Sequence, residues 1–208
     1  MSITFAFILW TSLLGLVLVT LLRVRARYKS SNVATIRSMI VFGSGGHTAE
    51  MLPFVDALTS RYSPLVCIVA SSDYMSEDKV STLLQSKHLE YTIERIPRPR
   101  EVKQALSTAI FSFLYSCMLT IPIVLRHSPE LVLCNGPGTC LPICFVAYIF
   151  HLIFGHKLVV AYVESVCRTK TLSLTGKILY HCRFADIIVQ WPELRDIYPR
   201  SNYLGLLS

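Results

Sequence analysis

Charged residues are scarce in this chain and unevenly distributed. They make up 16% of its 208 residues, below the ~25% usual for soluble domains, while the hydrophobic fraction is 52%. No charged residue precedes Arg23, and no acidic residue precedes Glu50. The excess of apolar over charged residues indicates that part of the chain contacts lipid.

Several familiar functional signals are also missing. No two of the seven cysteines have C-x-x-C spacing and the histidines show no metal-ligand spacing, which argues against a zinc or other metal site and a thioredoxin-like motif. The cysteines are odd in number and lie mostly in apolar runs, as expected of buried thiols in a reducing compartment. No basic patch is interleaved with aromatic residues, so the net charge of +7 does not indicate nucleic-acid binding.

The N-terminal segment predicts a membrane anchor. Residues 1–22 carry no charge and are almost wholly apolar from residue 3, which is long enough for a helix to cross a hydrocarbon core of ~30 Å. A cleaved signal peptide is the alternative, but the run is long, no basic residue precedes it and no A-x-A-like site follows. Basic residues that flank a span stay in the cytosol, and four follow directly: Arg23, Arg25, Arg27 and Lys29. We therefore expect a short lumenal N-terminus, a basic linker at 23–35 and a cytosolic domain at 36–208.

Beyond the linker, apolar strand-like segments alternate with helical ones. Strands are predicted at residues 36–42, 65–70, 91–96, 131–134, 158–163 and 187–190, and helices after residue 46 and at 77–86, 101–125, 140–154 and 174–182. Alternation with nearly continuous apolar strands indicates an α/β fold with a parallel, Rossmann-like sheet and helices on both faces.

Two of these helical segments raise the question of a second membrane span. Residues 104–125 carry no formal charge, and residues 139–155 are almost as apolar. Serine and threonine along the first segment make it a poor lipid-facing helix all round, and the second is closer in length to a core helix. We expect residues 105–125 to lie on or dip into the membrane surface, with a second span as the alternative. Three basic residues precede this segment: Arg98, Arg100 and Lys103. We expect them to contact lipid headgroups or a diphosphate, with a solvated basic turn as the alternative.

Two glycine-containing turns each follow a predicted strand. Glycine permits positive φ and close backbone approach, and a helix N-terminus binds phosphate through its free N–H groups and dipole. The first turn lacks the G-x-G-x-x-G pattern of dinucleotide-binding folds and the G-K-[ST] ending of a P-loop. The alternative to phosphate binding is therefore a glycine turn required by tight packing of the strand against the helix. Because the carboxyl ends of parallel strands meet at one sheet edge, we expect the two turns to bind a diphosphate together. The residues concerned are Gly43, Ser44, Gly45, Gly46, Asn135, Gly136, Gly138 and Thr139.

Two side chains at the same edge are candidates for catalysis. His47 begins the helix after the first turn, where the helix dipole disfavours an imidazolium, and a neutral imidazole can accept a proton from an attacking hydroxyl. Glu164 ends a predicted strand, where a carboxylate can bind sugar hydroxyls or act as a base. The alternative for His47 is a role in helix capping or packing. The alternative for Glu164 is a carboxylate that caps a helix or pairs with Arg168. Tyr162 is a weaker candidate.

Four motifs carry a resemblance to a known family. They are V-F-G-S-G-G-H-T-A-E-M, L-V-L-C-N-G-P-G-T-C, Y-V-E-S-V-C-R-T-K-T-L-S-L-T-G-K-I-L-Y and V-Q-W-P-E-L. They resemble the membrane subunit of the two-part UDP-N-acetylglucosamine transferase of asparagine-linked glycosylation, over about residues 36–206. More distantly, the chain is similar to the N-terminal domain of the bacterial peptidoglycan N-acetylglucosaminyltransferase, a GT-B enzyme.

The resemblance implies one half of a split enzyme at the cytosolic face of the endoplasmic reticulum. The complex would transfer N-acetylglucosamine from UDP-GlcNAc to dolichyl-diphosphate-GlcNAc, giving a β1,4-linked chitobiose lipid. This chain would bind the acceptor and no cofactor, while a small soluble partner would hold UDP-GlcNAc. His47 matches the histidine after the bacterial first loop. Glu164 matches a glutamate in the bacterial H-E-Q-N strand end, whose flanking residues are Val163 and Ser165 here.

The C-terminus is the expected contact with that partner. A GT-B reaction takes place between two α/β domains, and this chain is expected to hold only one. A predicted strand at 203–207 would bind the partner through Tyr203, Leu204, Leu206 and Leu207. The alternatives are a pure membrane scaffold for the catalytic partner and a nucleotide-binding membrane protein unrelated to sugars.

Overall fold

The computed structural model describes residues 15, 22, 35–97, 106–136 and 138–206. The predicted anchor and basic linker lie outside the described residues apart from Gly15, Leu22 and Thr35, so their topology stays a prediction. Arg98, Arg100, Lys103 and Leu207 lie outside them as well.

Seven strands of the described chain form one parallel sheet. In chain order they are β1 (Ser38–Val41), β2 (Leu65–Ala70), β3 (Tyr91–Ile96), β4 (Leu131–Asn135), β5 (Val159–Val163), β6 (Asp186–Val189) and β7 (Asn202–Tyr203). Their order across the sheet is β3-β2-β1-β4-β5-β6-β7, and every neighbouring pair is parallel. The strand order reverses between β1 and β4, which opens a crevice at their carboxyl ends. The expected Rossmann-like sheet is confirmed.

Six helices connect or follow these strands in the described residues. They are α1 (Gly46–Ala57), α2 (Tyr74–Ser86), α3 (Leu106–His127), α4 (Cys140–Phe154), α5 (Leu174–Cys182) and α6 (Pro192–Ile197). Helices α1 and α2 pack on one face of the sheet, and the other four contribute buried residues to the opposite face. The short α6 begins with proline at its first turn, a favourable position, and is absent from the sequence-based assignment.

The central strands are buried on both faces. Successive side chains of a strand point to opposite sides of the sheet, so Ile40 packs with Met51 and Val55 of α1, while Met39 and Val41 join the core beneath α3 to α5. This explains why β1, β2 and β4 read as continuous apolar runs rather than as alternating ones.

The strand register brings three carboxyl ends level with one another. Val41 of β1 is paired with Cys134 of β4, and Asn135 is paired with Val163 of β5. The chain therefore leaves β1, β4 and β5 at the same height, which places the two glycine turns and Glu164 side by side.

Helix α3 has an unusual distribution of side chains. Its buried side includes the small polar residues Ser116 and Thr120, with Thr120 Oγ1 donating a hydrogen bond to the Ser116 carbonyl at 2.7 Å. Its solvent side carries large apolar residues that are 40–75% exposed: Ile110, Phe111, Leu114, Tyr115, Met118 and Ile121. Within the described residues, Ala109–His127 is the one segment long and apolar enough to cross a membrane.

The C-terminal strand is shorter than predicted. The sequence predicted a strand at 203–207, but β7 comprises Asn202 and Tyr203 alone among the described residues. Gly205 adopts a positive φ of 84°, which is incompatible with continuing an extended strand. Leu204 still donates a backbone hydrogen bond to the Val189 carbonyl of β6, and Gly205 and Leu206 do not extend the strand.

Candidate functional site

The two glycine turns are in contact at the switch point of the sheet. Gly136 has φ +98°, and a Cβ atom built on it would lie 2.5 Å from Cγ of His47. The imidazole of the first turn thus rests directly on the backbone of the second. Gly45, with φ +66°, occupies the position before α1 and has open space around it. Both glycines are required, Gly45 by its conformation and Gly136 by conformation and close approach.

The first turn exposes the N-terminus of α1. Gly45 and Gly46 are exposed, Ser44 is half-buried and Gly43 is buried. Gly45 supplies no side-chain cap and the first helical turn has no acidic residue, so the leading N–H groups of α1 are left for another acceptor. Thr48 fixes the turn from beneath through its hydroxyl, which hydrogen-bonds the Gly43 carbonyl and lies 2.6 Å from Ser76 Oγ. This geometry suits an anion.

Four side chains form a hydrogen-bonded network at the carboxyl ends of β1, β4 and β5. Nδ1 of His47 lies 2.9 Å from Asn135 Oδ1, and Asn135 Nδ2 donates to Glu50 Oε2 at 2.9 Å. The other carboxylate oxygen of Glu50 accepts a hydrogen bond from Ser165 Oγ at 2.7 Å. Asn135 is fully buried. We call His47, Asn135, Glu50 and Ser165 the relay.

The relay identifies the side-chain partners of Asn135 and adds a residue that the sequence analysis missed. Both polar atoms of the Asn135 side chain are engaged by other side chains, Oδ1 by His47 and Nδ2 by Glu50, and its contact with a diphosphate stays a prediction. Glu50 was not predicted. Its i,i+3 spacing from His47 on α1 is a signal in the sequence, because residues three apart share one helix face.

Glu164 is turned into the protein. It is 1% exposed, and its Oε2 accepts hydrogen bonds from the Ser173 backbone N–H at 2.8 Å and from Ser173 Oγ at 3.0 Å. Ser173 Oγ in turn accepts from the Gly176 N–H at 3.0 Å and caps α5. Burial raises the pKa of Glu164, while the hydrogen bonds from Ser173 and Ser165 act in the opposite direction. The carboxylate therefore holds Ser173, the residue that caps α5, which favours a structural role for Glu164 over contact with a sugar.

Tyr162 connects the second glycine turn to this capping network. Its hydroxyl donates to the Gly136 carbonyl at 2.8 Å and lies 2.9 Å from Ser173 Oγ. Burial raises the pKa of Tyr162 well above its usual value, so the phenol remains a neutral donor. Further along the turn, Gly138 is half-buried and Thr139 is buried at the start of α4.

The predicted partner-binding residues lie at the end of the sheet. Strand β7 pairs only with β6 in the described sheet, so it is an edge strand. Tyr203, Leu204 and Leu206 are 40%, 58% and 60% exposed. Since β7 runs parallel to β1 and β4, these side chains emerge at the same sheet edge as the glycine turns, a few strands away.

Comparisons with known proteins identify the family to which this sequence is similar. A model of the family described as "Oligosaccharide biosynthesis protein Alg14 like" matches residues 38–207. The Rattus norvegicus protein named UDP-N-acetylglucosamine transferase subunit ALG14 is 45% identical over 203 residues, covering 92% of this chain and 93% of the relative. A Homo sapiens protein of the same name is 42% identical over 197 residues, covering 89% and 90%.

A solved structure resembles the fold at much lower sequence identity. The crystal structure of Acinetobacter baumannii MurG matches with a TM-score of 0.55 and 16% identity. The match covers 76% of this chain and 42% of the MurG chain, so this chain spans less than half of that structure. At this identity the likeness concerns the fold alone.

Proposed function

The chain belongs to the Alg14 family, and on this premise we propose that it is the membrane-anchored, acceptor-binding subunit of a two-protein UDP-N-acetylglucosamine transferase. That it is a subunit of such a transferase follows from its relatives. The acceptor role rests on one observation, the contact of the two glycine turns around His47 at the carboxyl edge of the sheet. The acceptor we propose is dolichyl-diphosphate-GlcNAc.

The diphosphate would be bound mainly by backbone N–H groups. The exposed, uncapped start of α1 offers the donors of Gly45 and Gly46, and a helix N-terminus attracts negative charge. The turn at Gly136 and Gly138 lies next to the start of α1, because Gly136 contacts the ring of His47. In this proposal the side chain of Asn135 supports His47 and only its backbone belongs to the phosphate site.

His47 is the candidate base for the transfer step. Its side chain is 35% exposed, so the ring is reachable while one edge is held by Asn135. The acceptor hydroxyl would give its proton to Nε2 of His47 as its oxygen forms a bond to C1 of the donor sugar. The bond between C1 and the UDP oxygen breaks, and UDP leaves with the electron pair. Glu164 would act indirectly, by holding the segment between β5 and α5.

The membrane would meet the protein on the same side as this site. A helix that joins two parallel strands runs back along the sheet, so α3 begins at the carboxyl edge. Its far end lies at the amino edge, where Arg37 Nε donates to the Ser128 carbonyl at 2.9 Å. The exposed apolar side chains of α3 start at Ile110, close to the carboxyl edge. We propose that this side of α3 lies on the endoplasmic reticulum membrane beside a single N-terminal anchor, with the domain cytosolic.

The donor would come from a soluble partner subunit. We propose that UDP-GlcNAc binds the partner and that the two proteins together form a GT-B cleft. The exposed Tyr203, Leu204 and Leu206 supply an apolar contact surface at the sheet edge next to that cleft. The predicted contact of Leu207 lies outside the described residues.

Reconstitution tests the proposal. Transfer of GlcNAc to dolichyl-diphosphate-GlcNAc is measured with this chain alone, the partner alone and both together, and we expect activity with both only. His47→Gln should lower kcat by about 10²–10⁴-fold, the usual contribution of a general base. The matched control is His181→Gln, because His181 is an exposed histidine in the last turn of α5. Full turnover by His47→Gln would favour a pure membrane scaffold instead.

A separate experiment tests the partner contact. Removing residues 203–208 should abolish co-purification of the partner from detergent while leaving membrane insertion intact, since the anchor is at the other end of the chain. Co-purification that survives the deletion would place the contact elsewhere.

A further inference from the structure

The hydrogen-bonding capacity of the relay determines where its protons lie. A carboxylate accepts hydrogen bonds and donates none, so Glu50 must face the amide nitrogen of Asn135. Asn135 then presents its carbonyl oxygen, which also only accepts, to Nδ1 of His47. Nδ1 must therefore carry a proton. In the neutral ring this leaves Nε2 as the one nitrogen with a free lone pair.

We propose that Glu50 and Asn135 are positioning residues that hold His47 in its Nδ1–H tautomer, with Nε2 as the proton acceptor. The inference rests on the proposed function for its account of what Nε2 accepts. The inference deepens that function because it assigns the orientation of His47 to Glu50 and Asn135, whose side chains contact neither the acceptor nor the donor in this proposal.

Two observations support a positioning task over simple packing. Gly136 closes on the face of the His47 ring, so the ring is held in its plane by the backbone as well as at its Nδ1 edge. The carboxylate of Glu50 is 12% exposed and fully hydrogen-bonded, by Ser165 at one oxygen and Asn135 at the other. Because both oxygens of Glu50 and both polar atoms of Asn135 are engaged, the network specifies one orientation for these two side chains.

Glu50 also stands where charge develops. Its Oε2 is 3.9 Å from Nδ1 of His47, so the carboxylate is close to the ring that becomes cationic when Nε2 takes a proton. An opposite charge at this distance stabilises the protonated imidazole. The same carboxylate thereby orients the base and stabilises the product of proton transfer.

The test reads the tautomer directly. The full-length chain with its partner is labelled with ¹⁵N-histidine in detergent, and the His47 signals are assigned by their loss in His47→Gln. We expect protonated Nδ1 and unprotonated Nε2 in the wild type. In Glu50→Gln the new amide can donate or accept, so Asn135 is no longer forced into one orientation and both tautomers should be seen. Glu90→Gln, an exposed glutamate at the amino edge of the sheet, is the matched control.

Kinetics of the same variants give the second readout. Glu50→Gln should lower kcat by at least tenfold while changing the acceptor KM by less than about twofold, as expected when a base is misplaced but binding is retained. Asn135→Leu, which removes the acceptor for Nδ1–H, should lower kcat by about a hundredfold. Thermal unfolding and partner co-purification check that both variants fold.

The outcomes separate the inference from the proposed function. A wild-type His47 protonated at Nε2, or a Glu50→Gln complex with unchanged tautomer and kcat, would overturn the positioning role. A wild-type complex with the expected tautomer but no GlcNAc transfer would contradict the proposed function and leave the tautomer assignment intact.

Discussion

Replacing Gly136 with alanine should disable His47 without changing the histidine itself. The added Cβ would lie 2.5 Å from Cγ, 2.6 Å from Nδ1 and 2.9 Å from Cδ2 of His47. Rotation about the Cβ–Cγ bond leaves Cγ in place, so it does not clear the methyl group; rotation about Cα–Cβ does, but it carries the whole ring out of its hydrogen bond with Asn135. The ring has to shift as a body, away from Asn135.

The size of the effect can be worked from these distances. Carbon atoms in contact are separated by about 3.5–4.0 Å, so the ring must move by roughly 1 Å. A displacement of that size at a catalytic group costs about 10²-fold in rate, which corresponds to about 2.7 kcal/mol of transition-state stabilisation. Alanine at φ +98° also destabilises the fold by roughly 1–2 kcal/mol.

Gly155→Ala separates the two contributions. Gly155 ends α4 with φ +65° and has no atom within 4 Å of a built Cβ, so its alanine variant experiences backbone strain without a clash. Both variants should unfold at lower temperature, while only Gly136→Ala should lose GlcNAc transfer in the reconstituted complex.

A double-mutant cycle completes the assay. In a His47→Gln background, Gly136→Ala should reduce kcat only slightly further, because the group it displaces is already absent. The reasoning would be refuted if Gly136→Ala kept wild-type kcat, or if its loss were equally large with and without His47.

Three further predictions concern other parts of the molecule. In Gly176→Ala the new Cβ would lie 2.5 Å from Oε2 of Glu164, so the variant should disrupt the cap of α5 and lose roughly 1–3 kcal/mol in chemical unfolding; an unchanged unfolding midpoint would contradict the capping role. His156 has its pKa lowered to about 4, mainly by burial, whereas the unfolded chain binds this proton near 6.5. Stability should therefore fall as the pH drops from about 6.5 to 4, by about 2 kcal/mol at pH 5, and His156→Gln should flatten that pH dependence. Phe111→Asp on the apolar side of α3 should raise the KM for a dolichyl acceptor several-fold but leave the KM for a short-chain, water-soluble acceptor unchanged; equal effects on both would argue against membrane contact.

Local patterns were sufficient for most of the secondary structure. Strands β2 and β3 and helices α4 and α5 have the predicted bounds, because a run of apolar residues between turn residues is itself the property that forms a buried strand or helix. The C-terminal strand was wrong in length because Gly205 interrupts it, a conformational effect that an apolar pattern does not register.

The side chains at the site were harder to assign. Asn135 and Glu164 both follow apolar strands and were interpreted alike, as groups facing a ligand. In the structure each is turned inward by partners on other elements, Glu50 and His47 for Asn135 and Ser173 for Glu164. No rule of spacing along the chain identifies those partners.

The α/β alternation, the glycine turns and the position of His47 at the start of a helix could be predicted from the amino-acid sequence, since each depends on neighbouring residues and their intrinsic conformational preferences. Three features became visible only in the folded chain: the contact between the two turns, the hydrogen bonds that Asn135 and Glu164 make with other side chains, and the place of Glu50 beside His47. Asn135 is 85 residues from Glu50 along the chain, and Ser165 is 115 residues from it. They meet because parallel pairing sets the ends of β1, β4 and β5 level, and that register is a property of the packed sheet as a whole.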